Sequence, residues 1–104
     1  MQIITDDSFQ KEVVEASTPV IVDFFADWCG PCRQLLPVME QLSEEFEGKV
    51  KIVKMNIDES PRTPAQFDVM RIPTLLAFKG GKMVSSQTGA LPKSKLAEWC
   101  GSLV

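Results

Sequence analysis

The stretch Val20–Cys32, V-I-V-D-F-F-A-D-W-C-G-P-C, narrows the architectures open to this chain more than any other segment. Its first half is an apolar run broken only by Asp23, the pattern of a strand covered on both faces, and such strands belong to sheets flanked by helices. A short polar break follows, then Cys29 and Cys32, then Leu35, Met39, Leu42 and Phe46 at helical spacing. The two cysteines therefore stand at the seam between a buried strand and the first turn of a helix. Pro31 suits that turn, where its missing N–H costs nothing, and the three-residue spacing puts both sulfurs on one helix face. A pair so spaced falls within the Cα separation a disulfide tolerates. The free N–H groups and positive end of the helix favour Cys29 as thiolate, the nucleophilic form. The first reading is a switchable dithiol.

Half of a zinc site is the alternative, since zinc needs four ligands from Cys, His or carboxylate. The chain has no histidine and only one further cysteine, Cys100, so such a site would need carboxylates, and redox chemistry is the favoured reading. Disulfide exchange then sets the order of events. Cys29 attacks a substrate disulfide, a mixed disulfide forms, and the more interior Cys32 displaces the reduced substrate in an intramolecular step. Gly30-Pro31 places no histidine charge beside the thiolate, which favours a reductant over an oxidant.

The remaining sequence sets the frame. A length of 104 residues with no composition break predicts one domain, 1–104. Net charge of −3 without a basic cluster offers no footprint for nucleic acid or an anionic membrane, so protein partners are expected. No apolar run approaches the roughly 20 residues needed to span a bilayer, and the N-terminus lacks a basic-then-apolar leader. With three cysteines and one C-x-x-C, a cytosolic setting is expected. A monomer is expected as well.

Along the chain, Ile3–Thr5 is a strand candidate, and Asp6, Asp7 and Ser8 offer caps for a helix over Ser8–Ala16 with Phe9, Val13 and Ala16 on one face. The Cys32–Phe46 helix carries Pro37, which predicts a kink, and Gly48 is its stop signal. Val50–Ile57 follows as a buried strand, then a turn-rich loop and a short helix near Thr63–Phe67. Thr74–Phe78, Gly80-Gly81 and Met83–Gln87 form a hairpin pattern. A last helix over Pro92–Leu103 lines up Leu96, Trp99, Cys100 and Leu103 along one stripe, which favours an inert core thiol at Cys100. This order implies an α/β fold, a mixed sheet with helices on both faces.

W-C-G-P-C after an apolar strand carrying one aspartate resembles the thioredoxin family. The likeness continues through Lys54-Met55-Asn56-Ile57-Asp58, Ile72-Pro73-Thr74, Phe78-Lys79-Gly80-Gly81 and Thr88-Gly89-Ala90, in family order and over nearly the whole chain. It implies the thioredoxin fold, a central mixed sheet of about five strands flanked by about four helices. The implied function is protein-disulfide reduction by the Cys29–Cys32 couple, with no bound cofactor and no metal, recharged by a thioredoxin reductase.

The resemblance also resolves residues that the sequence leaves open. Asp23 is either an outward-facing edge aspartate or a buried one with a raised pKa, and Lys54 ordinarily reads as a snorkelling lysine. The family match implies that Asp23 is the buried proton acceptor for Cys32, through water, and that Lys54 tunes it. Trp28 and Ile72-Pro73 read equally as core and loop, and nothing local selects a cis bond. The family implies a cis Pro73 packed on the cysteines, with Ile72 offering backbone to a substrate strand. Trp28, Gly30, Pro31, Thr74, Gly89 and Ala90 complete the implied motif and docking surface. Three positions depart from the family pattern: Phe25 for a common tryptophan, Arg71 for a small residue, and Thr88 for a usual valine.

Overall fold

The computed structural model describes residues 1–104. Five strands, β1 (Gln2–Ile3), β2 (Val20–Phe25), β3 (Lys51–Asn56), β4 (Thr74–Lys79) and β5 (Lys82–Thr88), form one sheet in the order β1-β3-β2-β4-β5. β1 and β2 run parallel to β3, whereas β4 is antiparallel to β2 and β5 antiparallel to β4. Three α-helices, α1 (Gly30–Glu45), α2 (Arg62–Gln66) and α3 (Lys93–Ser102), and a π-helical segment Gln10–Val14 complete it. This is the expected mixed sheet with four helices. β2 lies at its centre, as its apolar run predicts.

Strand alternation divides the core in two. Ile21, Ile52, Leu75 and Ala77 point to one face, where Leu35, Met39 and Leu42 of α1 and Leu96, Trp99 and Cys100 of α3 cover them. Val22, Phe24, Val53, Met55, Leu76 and Phe78 point to the other, against Ile4, Phe9 and Val13. Asp23 shares the parity of Ile21, so the pleat turns it towards α1. α1 runs through Pro37 without a break. The β4–β5 turn has Gly80 at φ 58° and Gly81 at φ 81°, the left-handed pair that a two-residue hairpin loop requires.

Three local expectations are corrected. The first strand is Gln2–Ile3 rather than Ile3–Thr5, although the Ile4 N–H still reaches the Lys54 carbonyl at 2.8 Å. The first helix is not regular over Ser8–Ala16: the Glu15 N–H bonds the Gln10 carbonyl, five residues back, which widens the turn. Phe9 and Val13 are still buried, while Ala16 is half-buried. No side chain caps this segment. Asp6 instead receives the Arg62 and Thr63 N–H groups at 3.0 and 2.8 Å, so a residue expected to cap the first helix satisfies the start of α2.

Candidate functional site

The end of β2 delivers the chain to Cys29, whose extended backbone (φ −89°, ψ 108°) makes it the N-cap of α1. Its sulfur accepts the Cys32 N–H at 3.2 Å, one of the donors a helix start leaves free. Cys29 and Cys32 form a disulfide with Cα atoms 5.3 Å apart. Both are 5% exposed, so the expectation that Cys32 is the more interior of the two is not met. What separates them is their surroundings. Cys29 Sγ lies 3.9 Å from the Ile72 carbonyl oxygen, whereas Cys32 lines a cavity of about 180 Å³ that also touches Asp23 and Lys54.

Asp23 sits on β2 directly across from Lys54 on β3 and Leu75 on β4. It is 2% exposed and its Oδ1 has no hydrogen-bond partner. Burial pushes its carboxyl from an ordinary 3.8 up to about 7, and the Lys54 charge pulls in the opposite direction. The outward-facing alternative is thereby excluded. Lys54 is half-buried, with Nζ 5.7 Å from the centre of the Phe25 ring. The cavity has room for water, and its polar lining gives water partners.

A second segment closes over the sulfurs. The Ile72–Pro73 bond is cis, Pro73 is buried, and its carbonyl accepts the Gly89 N–H at 2.9 Å, which ties the 88–90 turn to the same place. Thr74 is buried, with its hydroxyl on the Arg71 carbonyl. Trp28 is not a core residue. It is 68% exposed and held by a 2.9 Å bond from its indole N–H to Asp58. Gly30 and Gly89 are half-buried, and Pro31 and Ala90 are exposed.

Sequence reasoning missed Asp58 as the anchor of Trp28 and Arg33 as a donor to the Asp27 carbonyl at 2.8 Å. Neither has a local pattern to betray it, because each depends on a loop meeting another part of the chain. Cys100 is fully buried and unpaired, and burial pushes its thiol up to about 11.

The family model described as Thioredoxin matches residues 1–102. The chain belongs to the thioredoxin family. It is similar to the thioredoxin of Haemophilus influenzae, 53% identical over 96 residues that cover 92% of this chain and 90% of the relative. A thioredoxin of Synechocystis is 50% identical over 94 residues (90% and 88% of the two chains), and one of Rickettsia conorii 47% over 96 (92% and 91%). As a thioredoxin, the chain is a thiol–disulfide oxidoreductase, and Cys29–Cys32 is its redox-active couple for protein-disulfide reduction. No helix is long and apolar enough to cross a membrane.

Proposed function

We propose that this thioredoxin works as a single-domain electron carrier, contributing to redox homeostasis in a reducing, cytoplasmic compartment. In our reading it needs no bound cofactor and receives electrons from a thioredoxin reductase. Cys29 is the nucleophile: its thiolate attacks one sulfur of a target disulfide, the target S–S bond breaks, and the departing sulfur leaves as thiolate and takes up a proton. Cys32 resolves. It gives its proton to Asp23 through water in the shared cavity and attacks Cys29 Sγ. The mixed disulfide then breaks, the second target sulfur leaves as thiolate and takes up the proton held by Asp23, and Cys29–Cys32 closes. The target gains two electrons, which the reductase later restores to the couple together with the one proton that Cys32 gave up. Lys54, across the strand from Asp23, holds its pKa near the working range, where a proton acceptor is most effective. Ile72, Pro73, Thr74, Trp28, Gly30, Pro31, Gly89 and Ala90 form the motif and the surface on which the target strand rests.

One observation carries this division of labour. The two cysteines are equally buried as residues, yet only Cys32 shares the Asp23 cavity, while Cys29 sits at the helix end beside the Ile72 carbonyl. Cys29→Ser is expected to abolish reduction of a protein disulfide such as insulin. Cys32→Ser is expected to attack once and stall as an isolable mixed disulfide. Faster alkylation of Cys32 than of Cys29 in the reduced protein at neutral pH would reverse the assignment.

A further inference from the structure

Charge is unevenly distributed among the segments that frame the sulfur pair. The loop before Cys29 and the loop after β3 carry Asp27, Asp58 and Glu59, all exposed. Of the nearby cations, Arg33 is tied to the Asp27 carbonyl and Lys54 lies against Phe25 and beside Asp23. Arg71 is different. It is exposed, and its guanidinium makes no ion pair or hydrogen bond and lies over no ring. It also immediately precedes Ile72, whose carbonyl lies against Cys29 Sγ.

A groove of about 360 Å³ opens at this residue. Its lining includes Arg71 and Thr74, the two residues that flank the cis pair, and it runs along Met83, Ser86 and Thr88 of the edge strand β5. Met70, 88% exposed, forms part of the same wall and is the most exposed large apolar side chain in the molecule. One acid, Asp68, also lines the groove. Neither Cys29 nor Ile72-Pro73 lines the groove; it borders the site through Arg71 and Thr74, on either side of the cis pair.

We propose that Arg71 is a specificity-determining residue, which selects target disulfides flanked by a carboxylate on an extended segment lying in this groove. The proposal rests on the redox reading above and adds a preference to it. Consecutive Cα atoms are about 3.8 Å apart and an extended strand advances about 3.3 Å per residue. A target cysteine presented to Cys29 beside Ile72 thus brings residues one or two positions away over Arg71. The net charge of −3 makes the protein as a whole repel acidic segments, and the unpartnered Arg71 provides a local exception. Ser86, Thr88 and Met70 complement such a segment with hydroxyls and an apolar surface.

The test uses two synthetic peptides that share one disulfide and differ only in Glu or Lys two residues from a cysteine. The readout is the second-order rate constant for oxidation of the fully reduced protein, expressed as the Glu/Lys ratio. Wild type is expected to favour Glu by about two- to fivefold, the range of an exposed ion pair. The ratio is expected to fall towards one in 1 M salt, where the Debye length is about 3 Å. Arg71→Gln is expected to bring the ratio to one or slightly below, Arg71→Glu to invert it clearly, and Asp68→Asn to raise it. An unchanged ratio in Arg71→Glu overturns the proposal. Failure of wild type to reduce either peptide, or a small neutral disulfide, overturns instead the redox reading on which it rests.

Discussion

Burying Asp23 between Lys54 and Leu75 takes its carboxylate out of bulk water with no protein donor on Oδ1, which costs stability whenever the group is charged. The same burial holds the group near pH 7, a value suited to the proton transfer proposed for it. Its effect on stability has a definite sign. Between its ordinary value of 3.8 and its folded value of about 7, the folded state keeps a proton that the unfolded state has released. Stability therefore falls as pH rises through that interval, by on the order of 4 kcal/mol in all. Asp23→Asn keeps the shape and removes the titration. It is expected to match wild type near pH 4, to exceed it increasingly up to about pH 7, and to keep that lead above. Urea unfolding of both proteins at several pH values measures the gap, and mixed-disulfide release by the mutant should be slower. Parallel stability curves and equal release rates would show that Asp23 neither titrates in the fold nor serves Cys32.

At the scale of elements, the β4–β5 hairpin sets β5 beside β4 and so forms one wall of the Arg71 groove. Its two glycines are not equivalent. A Cβ at Gly80 meets nothing within 4 Å, whereas one at Gly81 comes within 3.0 Å of the Val14 carbonyl oxygen and Cγ1. Gly81 thus meets two demands, a positive φ and close approach to the π-helical segment, while Gly80 meets only the first. Gly80→Asn, a residue that tolerates this conformation, is expected to change stability by less than about 1 kcal/mol. Gly81→Ala combines backbone strain with a steric conflict and is expected to cost about 2–3 kcal/mol. In thermal melts of a domain this size that amounts to a drop of roughly 10 °C or more for Gly81→Ala. Equal melting temperatures for the two variants would mean that the turn yields without disturbing Val14.

For the molecule as a whole, the sheet separates two cores, and the last helix closes one of them. Leu96, Trp99, Cys100 and Leu103 make up four of the twelve buried residues on the α1 side. Burying Leu96, Trp99 and Leu103 contributes about 5–9 kcal/mol at 1.5–3 kcal/mol per large side chain, comparable with the entire stability of a typical domain. A chain ending before Pro92 is therefore expected to lose cooperative unfolding, as read by near-ultraviolet circular dichroism against urea. A sharp transition in the truncated protein would show that α1 and the sheet suffice. Such a loss would also take the redox site with it, because Ile21 and Ile52, in the same buried cluster as the α3 residues, belong to the same strands and face as Asp23 and Lys54.

Much of this was legible in the linear chain because it depends on periodicity and on residues adjacent in sequence. The apolar run of β2, the helical spacing of Leu35, Met39 and Leu42, the Gly80-Gly81 turn and the Cys29–Cys32 spacing are short-range patterns, and each element formed within a few residues of its expected place. The sequence alone also identified the dithiol as the chemical centre. What it could not determine were choices between partners far apart in the chain. Asp6 is as good a cap for the first helix as for α2, and only packing brings Thr63 to it across 57 residues. Trp28 has the size and apolarity of a core residue, yet Asp58, thirty positions on, holds it at the surface. The distinction between the cysteines follows the same rule. Sequence places both sulfurs on one helix face, but the register of β2 against β3 and β4 puts Asp23 under α1 and so into the cavity of Cys32 alone. Local patterns select elements because backbone conformation is a short-range property; the environment of a side chain is decided by everything packed around it.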